Sequence, residues 1–560
     1  MPLDQQLTLF EVPVHAAELL VDPGADYGEV FTRRWVVDLI LDLVGYTSDK
    51  DLAASRLVEP SCGTGAFLVP VVERLIASCI AHGRDVSEMS DAIRAFDLLE
   101  ANAGRARKAV VNLLVDSSVD VTDAEALAEE WVTTGDFLLS SQEPEAADYV
   151  VGNPPYIRLE NVPRRTMEAY RLACPTMRGR ADIYVGFIER GLSLLKPGGV
   201  LGFICADRWM RNQYGEDLRR LVTSRFAVET IVSMHDVDAF EDDVSAYPAI
   251  TVLRNGRQAV TNVVDTNETF TDRSAAKVRS WVNSGRRRTV STSSYEATRM
   301  DGWFEGGDLW PTGSPAQLAA ISELESRFPP LQDPATGTRV GIGVATGCDD
   351  VFITSDPDLV EDDRLLPLLR AADTVSGSPE WSGSFLVNPW NGTGLVGLDR
   401  YPRLKRYLNA HERRLRSRHV AQQRPNVWYR TIDRVDQNLT GRSKLLMPDM
   451  KASAHPVLDD GHYYPHHNLY FIVSDSWDME VLGGLLLSDF ANLFVGGYCV
   501  RMRGGTYRFQ AQYLRRIRVP DPTSIGARDR KALAAAFKTR DAERATGVAT
   551  RLYGLELPAV

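Results

Sequence analysis

Cysteine is scarce in this 560-residue chain: Cys62, Cys79, Cys174, Cys205, Cys348 and Cys499 lie scattered, with no C-x-x-C pair. That spacing argues against a disulfide framework and a zinc site, and for a reducing compartment. Long apolar runs are missing too. The most apolar stretches, Trp35 to Val44 and Val481 to Leu487, are too short or too charged to span a bilayer, and no basic-plus-apolar leader opens the chain. A cytoplasmic protein without membrane attachment is expected. Positive charge is also short: 63 Lys and Arg face 75 Asp and Glu, a net charge of −12. Taken as a whole, that balance argues against a polyanion binder. There is no internal repeat. What remains is an ordinary globular composition, 44% apolar and 25% charged, on a chain long enough for two or three domains.

The charge is unevenly placed. Acids crowd Asp120 to Glu130 and Asp236 to Asp243, whereas Arg400 to Lys451 is strongly basic and Arg501 to Arg518 contains no acid. Such local positive fields attract polyanions even on an acidic protein. A solvated helix face explains Arg413 to Arg418 about as well.

Met1 to Asp26 reads as a short lead-in. An amphipathic helix from Trp35 to Val44 follows, closed at Gly45, with Thr32 as a plausible N-cap. Short strands are expected at Arg56–Glu59, Ile93–Phe96, Trp131–Gly135 and Tyr149–Gly152, then at Val200–Cys205, Val228–Met234 and Ala249–Arg254. Helices alternate with most of them, and the loop from Ile157 to Arg180 is polar and Arg-rich. This alternation predicts an α/β fold with a doubly wound sheet, whose ligands lie beyond the carboxyl ends of the strands. Gln258 to Thr312, rich in Thr, Ser, Arg and Asn, breaks the pattern and reads as a connector with some structure. From Gly313 a second region holds a helix (Leu318 to Phe328), a Gly-rich strand (Val340 to Val344), the basic stretch, a helix around Glu480 to Phe494 and a last helix from Arg530. The predicted domains are therefore 1–257, a connector 258–312, and 313–560.

Four motifs fall at strand ends. Glu59-Pro60-Ser61-Cys62-Gly63-Thr64-Gly65 is a strand-to-helix G-x-G turn, where missing Cβ atoms let a ligand approach the backbone. Position 68 is Leu, which excludes the Rossmann pattern, and no Gly-Lys-Ser/Thr follows, which excludes a P-loop. Asp97 closes the second strand, where an acid takes two ribose hydroxyls. Asp136, beside Phe137, could accept from an adenine amino group. Asn153-Pro154-Pro155-Tyr156 ends the fourth strand, because two prolines cannot extend a sheet ladder. An amide, a proline-bound carbonyl and an aromatic ring are left at that edge. Together they could grip an exocyclic amino group and stack on the ring that carries it. Taken singly, each motif has a plain structural reading as a tight turn, a helix cap or a strand stop. Their order carries the argument.

That order resembles the S-adenosylmethionine-dependent DNA amino-methyltransferases. Glu-Pro-Ser-Cys-Gly-Thr-Gly-Ala-Phe-Leu precedes Asn-Pro-Pro-Tyr with no room for a DNA-reading domain between them, a Phe-Thr-x-x-x-Val-Val helix lies ahead, and a long region follows. This arrangement resembles the gamma class of adenine-N6 methyltransferases of restriction–modification systems, the TaqI-type group. The resemblance implies that Thr32 holds the methionine carboxylate of the cofactor, and that Glu59 and the turn from Cys62 through Gly63 to Gly65 line its methionine side. Asp97 would take the ribose, with Asp136 and Phe137 at the adenine. Asn153 and the Pro154 carbonyl would hold the target amino group, and Tyr156 would stack on a flipped base. Phe240 resembles a second aromatic contact, with a core phenylalanine as the competing reading.

The resemblance further implies a C-terminal α+β target-recognition domain, through Arg339–Gly347 with Val351–Ile353, Ser443–Pro448 and Leu514–Pro520. Double-stranded DNA would be the partner, with a cognate restriction endonuclease or defence complex beside it, and no metal is needed. Two rivals stay open. One is a methyltransferase for RNA or a protein glutamine, since Asn-Pro-Pro-Tyr serves those too. The other is a DNA-binding defence subunit whose methyltransferase fold is non-catalytic. A fused nuclease is not expected, because no nuclease-sized segment precedes Thr32 and no convincing paired-acid-plus-lysine motif is present.

Overall fold

A computed structural model describes residues 30–241, 247–501 and 506–558. The chain divides into two units at Trp310 and Pro311. The lead-in Met1 to Asp26, the 242–246 part of the Phe240 stretch, and Arg503 lie outside the described residues.

In the first unit, β1 (Leu57–Glu59), β2 (Ile93–Asp97), β3 (Val132–Thr134), β4 (Ala147–Gly152) and β5 (Leu195–Ala206) run parallel in the order β3-β2-β1-β4-β5. Parallel strands need crossovers, and helices supply them. Helix α1 (Arg34–Val44) leads in; α2 (Leu68–His82) joins β1 to β2; α3 (Glu100–Asp116) and α4 (Val121–Trp131) join β2 to β3; α5 (Arg164–Ala173) and α6 (Tyr184–Leu194) join β4 to β5. The strand order reverses between β1 and β4, which makes their carboxyl ends the switch point where such sheets bind ligands. Both faces of β1 and most of β5 are buried, and Val200 to Ala206 of β5 reads as an unbroken apolar run. Gly202 on β5 admits α1 closely: a Cβ there would lie 2.3 Å from Val44 Cγ1.

The sheet continues past β5. Two more strands, β6 (Ala227–Ser233) and β7 (Pro248–Arg254), add antiparallel to each other, with β7 against β5. Between β5 and β6 the chain forms α7 (Arg208–Arg211), a tight turn, and α8 (Glu216–Arg225).

The connector expectation fails here. Its residues form β8 (Val260–Thr266), α9 (Asp272–Ser284), β9 (Thr289–Ser291) and β10 (Tyr295–Asp301), completing a ten-stranded sheet. Its polar composition hid the strands because the polar groups are paired inside. Thr261, fully buried, has its hydroxyl 2.8 and 2.9 Å from the Val228 and Gly302 carbonyls, either of which can accept its proton, and Asn262 Nδ2 donates to Thr230 Oγ1 at 3.2 Å. The first unit therefore runs to Trp310 rather than to 257. Thr32 is also not the N-cap of α1. That position is Arg33, and Thr32 instead bridges to Phe240.

The second unit is α+β, as expected. Arg339–Ile342, Leu469–Val473, Lys444–Pro448 and Val457–Asp459 form one antiparallel sheet. The helix expected around Glu480–Phe494 is two helices, Met479–Leu487 and Asp489–Tyr498, bent by 63°. Among the described residues no single helix is long and apolar enough to cross a membrane.

Candidate active site

The turns leaving β1, β2, β3 and β4 open onto one cavity of about 230 Å³. Thr32, Glu59, Cys62, Gly63, Asp97, Asp136, Phe137 and Asn153 all line it. Gly65, Pro154, Tyr156 and Phe240 are not part of the lining, but each adjoins or contacts a residue placed there.

Gly63 and Gly65 hold the first turn, with φ of 53° and 105°, a region costly for side chains bearing Cβ. Asp97 fixes that turn from β2. Its Oδ2 accepts from the Gly63 amide at 2.9 Å, and its Oδ1 from the Leu99 amide at 2.9 Å. Both oxygens thus have backbone partners, and Oδ1 also accepts from Asn102 Nδ2 at 3.4 Å. Glu59, 1% exposed, lies near this carboxylate. Burial first, and the Asp97 charge second, push the Glu59 carboxyl well above the usual range.

Asn153 is oriented by the chain entering α1. Its Nδ2 donates to the Val30 carbonyl at 2.9 Å, and the Asn153 carbonyl accepts from Ser61 Oγ at 3.2 Å. The same entering segment zips to the Phe240 stretch. Arg33 N donates to Ala239 O at 3.0 Å, Glu241 N to Phe31 O at 2.9 Å, and Arg33 pairs with Asp238 at 2.7 Å. This brings Thr32 and Phe240 together and sets the Phe240 ring edge-on to Tyr156, with centroids 6.2 Å apart.

Thr32 Oγ1, Glu59 Oε2, Asn153 Oδ1 and the Tyr156 hydroxyl are all buried without a hydrogen-bond partner. Buried polar atoms are rarely left so, and a cluster of them around one cavity marks a place for a ligand's polar groups.

At the far end, Asp136 Oδ2 accepts from the Tyr170 hydroxyl at 2.6 Å and Oδ1 from the Leu138 amide at 2.9 Å. Burial raises the Asp136 carboxyl despite those bonds. Phe137 stacks on Phe187, with centroids 5.6 Å apart and planes at 22°. Tyr170, Thr166 and Phe187, together with Val30 and Phe31, are lining residues that sequence reasoning missed. A signal was present in α5. Thr166 and Tyr170 are four residues apart on its buried face, while Arg164, Arg165 and Arg171 on the other face made the stretch read as a polar loop.

The expected basic face is less free than its sequence suggests. Lys444 pairs with Asp459 at 2.7 Å, both fully buried; Arg516 and Arg518 share Glu325; Arg418 is spent on the carbonyls of Thr346, Trp428 and Arg430. These residues hold the second unit together. Arg406, Arg413 and Arg424 remain exposed.

A strand-end cavity at the switch point, with a glycine turn, acids on successive strands and an anchored amide, has the build of an α/β methyltransferase. Residues 82–240 match the Eco57I restriction-modification methylase family. The chain is 44% identical over 551 residues to the type II methyltransferase M.PaeR7I of Pseudomonas aeruginosa, covering 97% of this chain and 95% of that protein. To the type II methyltransferase M.XhoI of Xanthomonas vasicola it is 42% identical over 534 residues, covering 94% and 97%. It belongs to the type II methyltransferases of restriction–modification systems. Its fold is similar to that of the Type IIL restriction-modification enzyme MmeI in complex with DNA. The TM-score there is 0.57 at 11% identity, covering 94% of this chain and 74% of that one.

Proposed function

We propose that this enzyme moves a methyl group from S-adenosylmethionine to N6 of an adenine flipped out of double-stranded DNA, as the modification partner of a restriction endonuclease or defence complex. The observation that carries the reading is the Asn153 amide, held by Val30 through its nitrogen while its oxygen is buried and unpartnered at the cavity. The residues fit the cofactor. The unpartnered Thr32 Oγ1 would donate to its methionine carboxylate, Glu59 Oε2 is unpartnered on the same methionine side, and the Gly63 turn has no side chain in the way. Asp97 is placed for ribose hydroxyls, and Asp136 with Phe137 for a purine. When bound, S-adenosylmethionine supplies a methyl made electrophilic by its sulfonium centre.

An adenine amino nitrogen is a weak nucleophile because its lone pair is delocalised into the ring. Asn153 Oδ1 and the Pro154 carbonyl accept its two N–H groups and free that lone pair. Both dipoles are fixed before the reaction, so the positive charge growing on nitrogen meets oriented acceptors. Holding nitrogen in line supplies much of the remaining acceleration. Flipping the base out costs a few kcal/mol. Stacking on Tyr156, with Phe240 beside it, returns roughly 1–3 kcal/mol per ring.

Asn153→Ala is expected to abolish methylation of genomic DNA while leaving S-adenosylmethionine affinity within about threefold, a loss under 1 kcal/mol. Methylation at the parent rate would refute the mechanism. Mapping the modified base in DNA treated with the parent enzyme tests N6 of adenine directly.

A further inference from the structure

Among the described residues, Asp349, His466 and His467 draw together atoms able to hold a metal ion, all within 4.8 Å of one another. They belong to the second unit, and none of them lines the cavity described above. The sequence pattern predicts no metal there. The ligands are not cysteines, and Asp349 lies 117 residues from His466.

Glycine and close backbone packing bring them together. Val344 bridges in parallel to His466, and His467 N donates to the Val344 carbonyl at 3.1 Å. A Cβ at Gly343 would lie 2.2 Å from the His466 carbonyl oxygen, so only glycine lets the two segments approach this closely. The chain then turns through Thr346, whose buried hydroxyl donates to Asp349 Oδ1. That bond holds the carboxylate with Oδ2 at 3.2 Å from His466 Nε2, while His467 Nδ1 lies 3.0 Å from the same Nε2.

Two heteroatoms converge on one imidazole nitrogen, and protons alone serve them poorly. If Nε2 carries a hydrogen, it points well at only one of the two. If Nε2 is bare, it can accept from His467, but it then faces the Asp349 oxygen lone pair to lone pair. A cation satisfies all three at once. With bonds of about 2.0–2.2 Å, a tetrahedral ion spreads its ligands about 3.3–3.6 Å apart, close to the two short separations here. His467 and the Asp349 side chain, 45% exposed, give an ion a way in, while buried His466 anchors the set. Thr346 plays the supporting part that metal-bound carboxylates require.

We propose that Asp349, His466 and His467 form a binding site for a divalent transition metal of the zinc class, with two imidazole nitrogens and one carboxylate oxygen as ligands. Imidazole with one carboxylate suits zinc, cobalt or nickel, and suits magnesium and calcium poorly. The ion cross-links two distant segments of the second unit, and a fourth ligand comes from solvent.

The test uses untagged full-length protein stripped with a chelator, then titrated with Zn²⁺ by calorimetry and with Co²⁺ by visible absorption. The expected result is one ion per chain, with the intense visible bands of tetrahedral cobalt. His467→Ala and Asp349→Asn should each weaken binding by about 100-fold or more, beyond the loss expected from a supporting residue alone. Both positions reach solvent, and the amide that replaces the carboxylate in Asp349→Asn keeps an oxygen for Thr346. Both variants are therefore expected to fold, which circular dichroism checks. Failure of the parent to bind either ion saturably would overturn the proposal. So would binding that neither substitution weakens, which would place the ion elsewhere.

Discussion

Glu59 sits in the cavity as a buried carboxyl near a second acid, with its ionisation pushed well above the usual range by burial and by Asp97. A group that holds its proton more tightly in the native state adds stability that is complete below the ordinary carboxyl value of about 4.3. That stability is lost as pH rises through the raised value. Glu59→Gln removes the titration, so thermal melts of the variant should gain on the parent steadily as pH rises from about 4.3. A gap that stays constant with pH would show that Glu59 does not titrate as argued. Tyr170 offers a second test. Tyr170→Phe removes the hydroxyl bonded to Asp136 while keeping the ring, and should weaken S-adenosylmethionine binding about fivefold, the worth of one hydrogen bond near 1 kcal/mol. Calorimetry reads this directly, and an unchanged affinity would make the Tyr170–Asp136 bond irrelevant to the cofactor. Glu59, Asp97, Asp136 and Asn153 were legible in the sequence because each is a polar residue next to a strand end or glycine turn, and Thr32 through the Phe-Thr-x-x-x-Val-Val resemblance. Tyr170 and Val30 were not. One contributes through tertiary contact from a helix masked by arginines, and the other through its backbone carbonyl, which no side-chain pattern records.

The helix α1 and strand β5 meet at Gly202, which leaves no space for a methyl group. Gly202→Ala places a Cβ 2.3 Å from Val44 Cγ1 and 3.1 Å from Ile40 Cγ2. The overpacking should cost about 1–3 kcal/mol, read as a lower urea midpoint with an unchanged slope. An unshifted midpoint would mean that α1 slides freely on the sheet. Strand β5 was legible because burial of Val200 to Ala206 on both faces leaves a continuous apolar run. The strands β8 to β10 were not, since their threonines and asparagine satisfy one another and the backbone inside the fold, which mimics the composition of a loop. The α7–α8 break likewise cannot be read from spacing. Arg219 inserts its guanidinium there, donating to Asn212 O at 2.9 Å and Asp308 O at 2.7 Å, so a contact distant in sequence sets the break.

An acidic protein that acts on DNA must concentrate its positive charge, and the internal pairing of Arg516, Arg518, Arg418 and Lys444 leaves fewer free cations than the sequence suggests. Sequence alone counts arginines; it does not say which ones face carbonyls and acids. If Arg406, Arg413 and Arg424 meet phosphates, replacing all three with Gln should lower the slope of log affinity against log salt by up to about 2.7, at about 0.9 per phosphate contact. Affinity for specific and nonspecific duplexes should fall alike, measured by fluorescence anisotropy across a salt series. An unchanged slope would move the phosphate contacts elsewhere on the protein.

The bond from Asn153 Nδ2 to the Val30 carbonyl also decides what cannot be held. Because Val30 offers only an acceptor, the amide cannot flip without setting oxygen against oxygen. The Asn153 side chain is thereby locked as an acceptor, and on the proposed reading a purine bearing an exocyclic oxygen at position 6 would meet it with like-signed dipoles. Hypoxanthine, which differs from adenine there by oxygen for nitrogen, should be refused even when already unpaired. On the proposed reading the lock would be a polarity filter, acting before any methyl is at risk of misplacement.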